Sequence, residues 1–245
     1  MKKPYSPLPP VLYEDEWMVA FDKPAGLLVA PDRWDQAAVY LMALVHKCRG
    51  PEYANVHRLD KDTSGVLVVA KSLQALHELQ KRFDERRVEK TYLALTAGAP
   101  SPEKGEIDAP IAPDRHRPGR MRLSAEGKPA RTRYEIVERF NLGYTLVHAW
   151  PETGRSHQIR LHLKSVGCPI VGDPFYGGGE LFLSEIKPGY RPGSDPERPL
   201  IGRTALHALR LMMTHPATQQ PLTIEAPLPK DLQVALKYLR RFAGG

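Results

Sequence analysis

Apolar and polar positions alternate in short runs over most of this chain, and longer helical periods interrupt them at a few places. Val11 to Phe21 holds two apolar stretches split by Glu14-Asp15-Glu16, which predicts a hairpin. After Asp35, the residues Ala38, Val39, Met42 and Val45 recur at helical spacing until Arg49-Gly50-Pro51 stops them, so a helix is expected there. A polar loop then leads into a strand over Val66 to Ala70. Ser72 stands where it can cap a second helix. The pattern reads its inner face as Leu73, Leu76, Gln80 and Phe83, with Glu78 and Arg82, four apart, as a solvent-facing ion pair.

Strands are expected at Thr91–Thr96, Thr132–Val137 and Tyr144–Ala149. Ile159, Leu163 and Val166 form a helical stripe within Ser156–Val166, and Gly167 followed by Pro169 ends it. Residues 177–203 are rich in Gly, Pro and charge and read as an extended surface loop. Strands return near Leu206–Met213 and Leu222–Glu225, before an amphipathic helix from about Lys230 to Arg241. Neighbouring strands mixed with a few helices favour α+β over a regularly alternating parallel sheet. The proline-rich residues 1–10 read as a disordered lead-in, and residues 11–245 as one domain.

Charge adds a partner to this picture. The 245 residues carry 35 Lys and Arg against 28 Asp and Glu, a net charge of +7 that favours a polyanionic partner. The excess is concentrated. Between Asp114 and Arg133 lie Arg115, Arg117, Arg120, Arg122, Lys128, Arg131 and Arg133, opposed only by Asp114 and Glu126. Pro113, Pro118 and Gly119 interrupt the window, which reads as a long hairpin or flexible projection that grips phosphates. The two cysteines, Cys48 and Cys168, lack a CxxC spacing, which argues against a disulfide framework and fits a reducing cytosol. No run of about eighteen apolar residues exists, so a membrane span is not expected. His157 and His162 are five apart and splay around a helix, and no metal is expected.

The chemistry concentrates in residues 57–65, HRLDKDTSG. Alone, Asp60 is a turn-forming aspartate, as Asp so often is. Five further segments change that reading: KPAGLLV at Lys23–Val29, KTYLAL at Lys90–Leu95, TGRSHQIRLHL at Thr153–Leu163, GDPFYG at Gly172–Gly177 and LHA at Leu206–Ala208. In this order they resemble the motifs of the RluA-type pseudouridine synthases, enzymes that isomerise uridine within RNA. The resemblance spans nearly the whole chain. It implies a pseudouridine synthase fold, a bent, mainly antiparallel mixed sheet flanked by helices and loops, with a central active-site cleft.

The resemblance also implies roles. Asp60 would be the nucleophile, since a carboxylate can hold the nucleotide covalently while the base turns. Arg160 would be the cation that pairs with it, and Tyr92 would stack on the base and help remove the carbon-5 proton. Phenols titrate near ~10 and are poor bases at neutral pH, so stacking is the firmer half of that role. Arg58 would fill the gap left by a flipped-out uridine. Ile159 would wall the uracil, and His57 would support the signature loop or touch RNA. Arg115, Arg117, Arg120 and Arg122 would hold the backbone of an rRNA or tRNA stem-loop. The expected enzyme is a cytoplasmic monomer without a cofactor or membrane contact. Only about ten residues precede the first strand, so no S4-like RNA-binding extension is expected. Two rivals share these features: a non-catalytic RNA-binding or ribosome-assembly protein on the same scaffold, and a base-releasing glycosidase.

Overall fold

A computed structural model describes residues 8–31 and 38–244. The expected start of the first helix at Asp35 and most of the lead-in fall outside these residues. In chain order the elements are β1 (Val11–Glu14), β2 (Met18–Lys23), α1 (Leu41–Arg49), β3 (Ala54–Asn55), β4 (Ser64–Ala70), α2 (Leu73–Asp84), β5 (Val88–Ala97), β6 (Lys104–Asp108), β7 (Ile111–Pro113), β8 (Met121–Leu123), β9 (Arg131–Phe140), β10 (Tyr144–Pro151), α3 (Gln158–Ser165), α4 (Leu183–Ile186), β11 (Leu206–Thr214), β12 (Pro221–Glu225) and α5 (Lys230–Ala243). The chain divides into two compact units: the described residues through Lys90 with Ala208–Pro227, and Thr91–His207 with the residues from Leu228 onward.

In the first unit, β1 and β2 form the expected antiparallel hairpin, with Glu14 opposite Val19. Asp15 makes its turn, accepting the Trp17 and Met18 amides on Oδ1 at 2.7 and 2.9 Å. β2 runs antiparallel to β4, from Met18 opposite Ala70 to Lys23 opposite Gly65. All seven residues of β4 are buried, so the strand is apolar on both faces instead of alternating. Ser72 caps α2 as expected, accepting the Ala75 amide at 3.1 Å. The helix face matches the expected one in part. Leu76 and Phe83 pack against the core beside the buried Ala75, Leu79 and Arg82, whereas Gln80 is exposed and Leu73 is 66% exposed. Arg82 does pair with Glu78 at 3.1 Å, but it points inward. Its guanidinium donates to the carbonyls of Thr214 (3.1 Å) and Pro216 (3.4 Å), tying α2 to the end of β11.

The second unit is a ladder of antiparallel strands in which β10 lies between β5 and β9, and β6 adds outside β9. Along β9 the residues Thr132 and Tyr134 are buried while Arg131, Arg133 and Glu135 are exposed, the period-two signature of a strand with one covered face. Only the first part of the basic window is a hairpin, in which β7 and β8 pair antiparallel with Pro113 opposite Met121, whereas Arg131 and Arg133 lie on β9 and pair with Glu106, Asp108 and Glu152. Met121 and Leu123 pack on Ile111, Ala130, Leu161 and Tyr176, a small cluster that seats the hairpin against α3. Residues 177–203 are more than a surface loop. They contain α4 and bury Leu181, Ile186 and Ile201, and the Leu200 amide donates to the Leu181 carbonyl at 2.8 Å. The balance of strands and helices is α+β, with every strand-to-strand ladder named here antiparallel.

Candidate active site

In the first unit the signature residues form a loop whose last two residues, Ser64 and Gly65, open β4, and a buried lysine fixes it. Lys23 is 0% exposed, and its ammonium donates to the carbonyls of Pro24 (2.9 Å), Leu27 (2.7 Å) and Lys61 (3.0 Å). The Lys61 carbonyl also accepts the Gly26 amide at 2.9 Å. A buried cation is tolerated when carbonyls satisfy its donors, and here those carbonyls belong to both the KPAGLLV and HRLDKDTSG segments. The Thr63 amide closes the turn onto the Asp60 carbonyl at 3.1 Å. Asp60 is thereby held half-buried, between buried Leu59 and the buried pair Thr63 and Ser64. Gly65 has φ +111°, and a Cβ there would collide with the Ala208 carbonyl, so the signature requires glycine at this position. Arg58 is exposed.

His57 is tied to the scaffold. Its Nε2 accepts the Val68 amide at 3.0 Å, and its ring stacks on Phe83 with centroids 4.8 Å apart. Burial, with a smaller contribution from Lys90, pushes the imidazole down to about 3. Burial likewise pulls the Lys90 ammonium down to about 8. A neutral His57 leaves the unfolded chain binding more protons between its ordinary titration near 6.5 and about 3, so stability falls as pH drops through that window. His57→Gln, which keeps an acceptor but cannot ionise, is expected to flatten the decline of the urea midpoint between pH 7.5 and pH 5. Equal declines in both proteins would remove His57 as the cause.

In the second unit, Tyr92 lies half-buried on β5 opposite Ala149. Ile159 and Arg160 are buried in the first turn of α3. This helix is fastened by a buried polar network. Gln158 donates through Nε2 to the Arg131 carbonyl (2.8 Å) and the Thr132 hydroxyl (2.9 Å), and its Oε1 accepts from Thr153 (2.6 Å). His162 donates from Nε2 to the Ala109 carbonyl at 3.0 Å, so Nδ1 accepts from the Thr132 hydroxyl at 2.9 Å. Burial lowers this imidazole as well. Thr153, Gln158 and His162 thus explain much of the TGRSHQIRLHL pattern as attachment of α3 to β9.

Arg160 makes a bidentate pair with Asp173, Nε to Oδ2 at 2.7 Å and Nη2 to Oδ1 at 2.8 Å. Asp173 is 0% exposed, and its Oδ1 also accepts the amides of Phe175 (3.0 Å) and Tyr176 (3.3 Å). The GDPFYG segment stands out in the sequence, but nothing there marks Asp173 as the partner of Arg160. The signal available is an aspartate within a motif that also holds two aromatics. The hairpin arginines differ among themselves. Arg115, Arg117 and Arg122 are exposed, but Arg120 donates to the Phe175 carbonyl at 3.0 Å and lies 4.7 Å from the centre of its ring. Arg117, Arg120, Arg122 and Lys164 line a recess of about 280 Å³ together with Asp114, Leu161, Phe175 and Tyr176.

Residues 17–165 match the family described as RNA pseudouridylate synthase. The chain belongs to that family. It is 40% identical over 238 residues to a protein of Nitrosomonas europaea named ribosomal large subunit pseudouridine synthase D, covering 94% of this chain and 65% of the relative. It therefore spans just under two thirds of that relative's length. A second relative, from Escherichia coli K12, is named dual-specificity RNA pseudouridine synthase RluA, with 38% identity over 91% of this chain and 95% of its own. Among solved structures, human RNA pseudouridylate synthase domain containing 4 superposes with a TM-score of 0.69 at 30% identity, covering 94% of this chain and 92% of its own. The α+β fold is that of the pseudouridylate synthases, and the two segments that the buried Lys23 joins both lie within the matched residues.

Proposed function

We propose that this chain isomerises uridine to pseudouridine in a structured RNA, as one catalytic domain from residue 11 onward, with Asp60 as nucleophile. Arg160 serves as the cation that pairs with this carboxylate, and Tyr92 as a stacking surface for the base. The observation that carries the reading is the signature loop itself: a half-buried aspartate whose turn is pinned by a wholly buried lysine. Such a frame suits a carboxylate that must meet a reacting atom in one orientation. In the reaction the N1–C1′ bond breaks, the base turns and C5 bonds to C1′; the C5 proton leaves and N1 gains one. Nothing else is consumed, so the isomerisation needs no co-reactant; the chain is proposed to act as a monomer on RNA in the cytoplasm. Arg58, exposed beside Asp60, fills the stack vacated by the uridine, and Ile159 walls the uracil.

The names of the relatives point to ribosomal RNA as the first substrate to test, with transfer RNA as the second. Bulk RNA labelled with tritium at uridine C5, from cells lacking the gene, distinguishes the readings. Isomerisation releases tritium to water without free uracil. A base-releasing glycosidase liberates labelled uracil, and a non-catalytic binder liberates neither, so either of those results ends the proposal.

Phosphate contacts by the hairpin give affinity without sequence information and a steep dependence on salt. Replacing exposed Arg117 and Arg122 together by Gln is expected to flatten the plot of log affinity against log salt by ~0.7–0.9 for each phosphate no longer neutralised. Filter binding between about 50 and 200 mM salt reads the slope. An unchanged slope would assign the hairpin to solvent. Arg120→Gln is expected to change the slope less, because its guanidinium is already engaged with Phe175.

A further inference from the structure

The turn at residues 173–176 touches both the buried arginine of α3 and the basic hairpin. Asp173 grips Arg160 through both oxygens, and its backbone neighbours Phe175 and Tyr176 donate back to it. From the other side, Tyr176 accepts the Met121 amide of β8 on its hydroxyl at 3.0 Å and shares a 2.7 Å hydrogen bond with His157 Nδ1 at the start of α3. Arg120 lies on Phe175 and donates to its carbonyl. His157 is left-handed at φ +55°, a conformation that a side-chain partner helps to hold. The Arg160 guanidinium lies 5.4 Å from the Phe175 ring centre and 5.0 Å from that of Tyr176.

An arginine spans many rotamers, and its planar fork acts on one reacting group only if something fixes the plane. Two parallel hydrogen bonds to a carboxylate define a plane, and the two amides on Asp173 fix that carboxylate in turn. We propose that Asp173 is the positioning residue for Arg160, and that Tyr176 fastens the same turn to the RNA-gripping hairpin. Seating RNA on the hairpin and orienting the arginine then become one mechanical event. This rests on the isomerase reading for its activity, but the geometry it asserts has a signature of its own.

Two variants of the full chain, Asp173→Asn and Tyr176→Phe, test it by two readouts. Asn keeps an acceptor for the Phe175 and Tyr176 amides while losing the charge that holds the guanidinium. Phe keeps the ring and loses only the hydroxyl, so it is expected to fold even if the Asn variant does not. The first readout is tritium release from uridine-labelled bulk RNA. Asp173→Asn is expected to lower kcat about 100-fold and Tyr176→Phe about fivefold, each with KM within about threefold of wild type. The second readout is solvent exchange of the Arg160 Nε–H by nuclear magnetic resonance, with no RNA required. The signal is expected to be protected in the wild type and to exchange at least tenfold faster in both variants. Unchanged protection in Tyr176→Phe, or loss expressed in KM instead of kcat, overturns the proposal. A wild type that releases no tritium overturns the isomerase reading alone, because the exchange experiment still decides whether the turn positions Arg160.

Discussion

Asp60→Asn is expected to abolish turnover, by at least about a thousandfold, while RNA affinity stays within about tenfold of wild type because phosphate contacts dominate binding. A carboxamide has nearly the shape of a carboxylate but is a far weaker nucleophile, so the variant isolates the chemical step. The turn should survive the change. Thr63 closes it by donating to the Asp60 main-chain carbonyl, and Lys23 holds it by donating to the Lys61 carbonyl, neither of which involves the Asp60 side chain. Single-turnover tritium release and filter binding at one fixed salt concentration measure the two halves of the expectation. Turnover within about tenfold of wild type would remove Asp60 as the nucleophile. A collapse of affinity alongside turnover would instead make the aspartate a structural member of the RNA-binding surface.

Local signals in the sequence recover whatever depends on neighbours in the chain. The Val11–Phe21 hairpin follows from a polar interruption between two apolar runs, and the Ser72 cap from a hydroxyl three residues before the amide it accepts. Gly167, at φ +78°, ends α3 in a conformation that glycine adopts without strain. Distant partners leave no such trace. Arg82 reads as half of a surface pair because Glu78 lies one turn away, yet the carbonyls that draw it inward come from Thr214 and Pro216, more than 130 residues on. Leu73 fits the apolar stripe by spacing, but among the described residues it stays 66% exposed in the first turn of α2. Residues 177–203 look like loop by composition, although Leu181, Ile186 and Ile201 are buried. Lys23 and Asp173 are the sharpest cases. A lysine before Pro-Ala-Gly and an aspartate before Pro both resemble turn furniture, and only their burial and full sets of hydrogen bonds distinguish them from it.

Arg160→Met is expected to lose both stability and turnover, and a second substitution separates the two. Removing one partner of a buried, hydrogen-bonded charge pair strands the other, at a cost of roughly 3–5 kcal/mol. Asp173, fully buried beneath the 173–176 turn, would be that stranded carboxylate. For a chain of this length the loss corresponds to a fall in Tm of roughly 6–20 °C. Adding Asp173→Asn removes the stranded charge while keeping an acceptor for the Phe175 and Tyr176 amides, so most of the lost stability should return. Apolar or neutral replacements of a whole buried pair are often close to neutral for folding. On the proposed roles turnover should not return, because the cation assigned to the reaction is gone. Thermal denaturation and single-turnover tritium release on wild type, Arg160→Met and the double variant decide the matter. If activity recovers with stability in the double variant, Arg160 is a packing residue and the cation of the reaction lies elsewhere; if stability alone recovers, the arginine is needed for the chemistry itself.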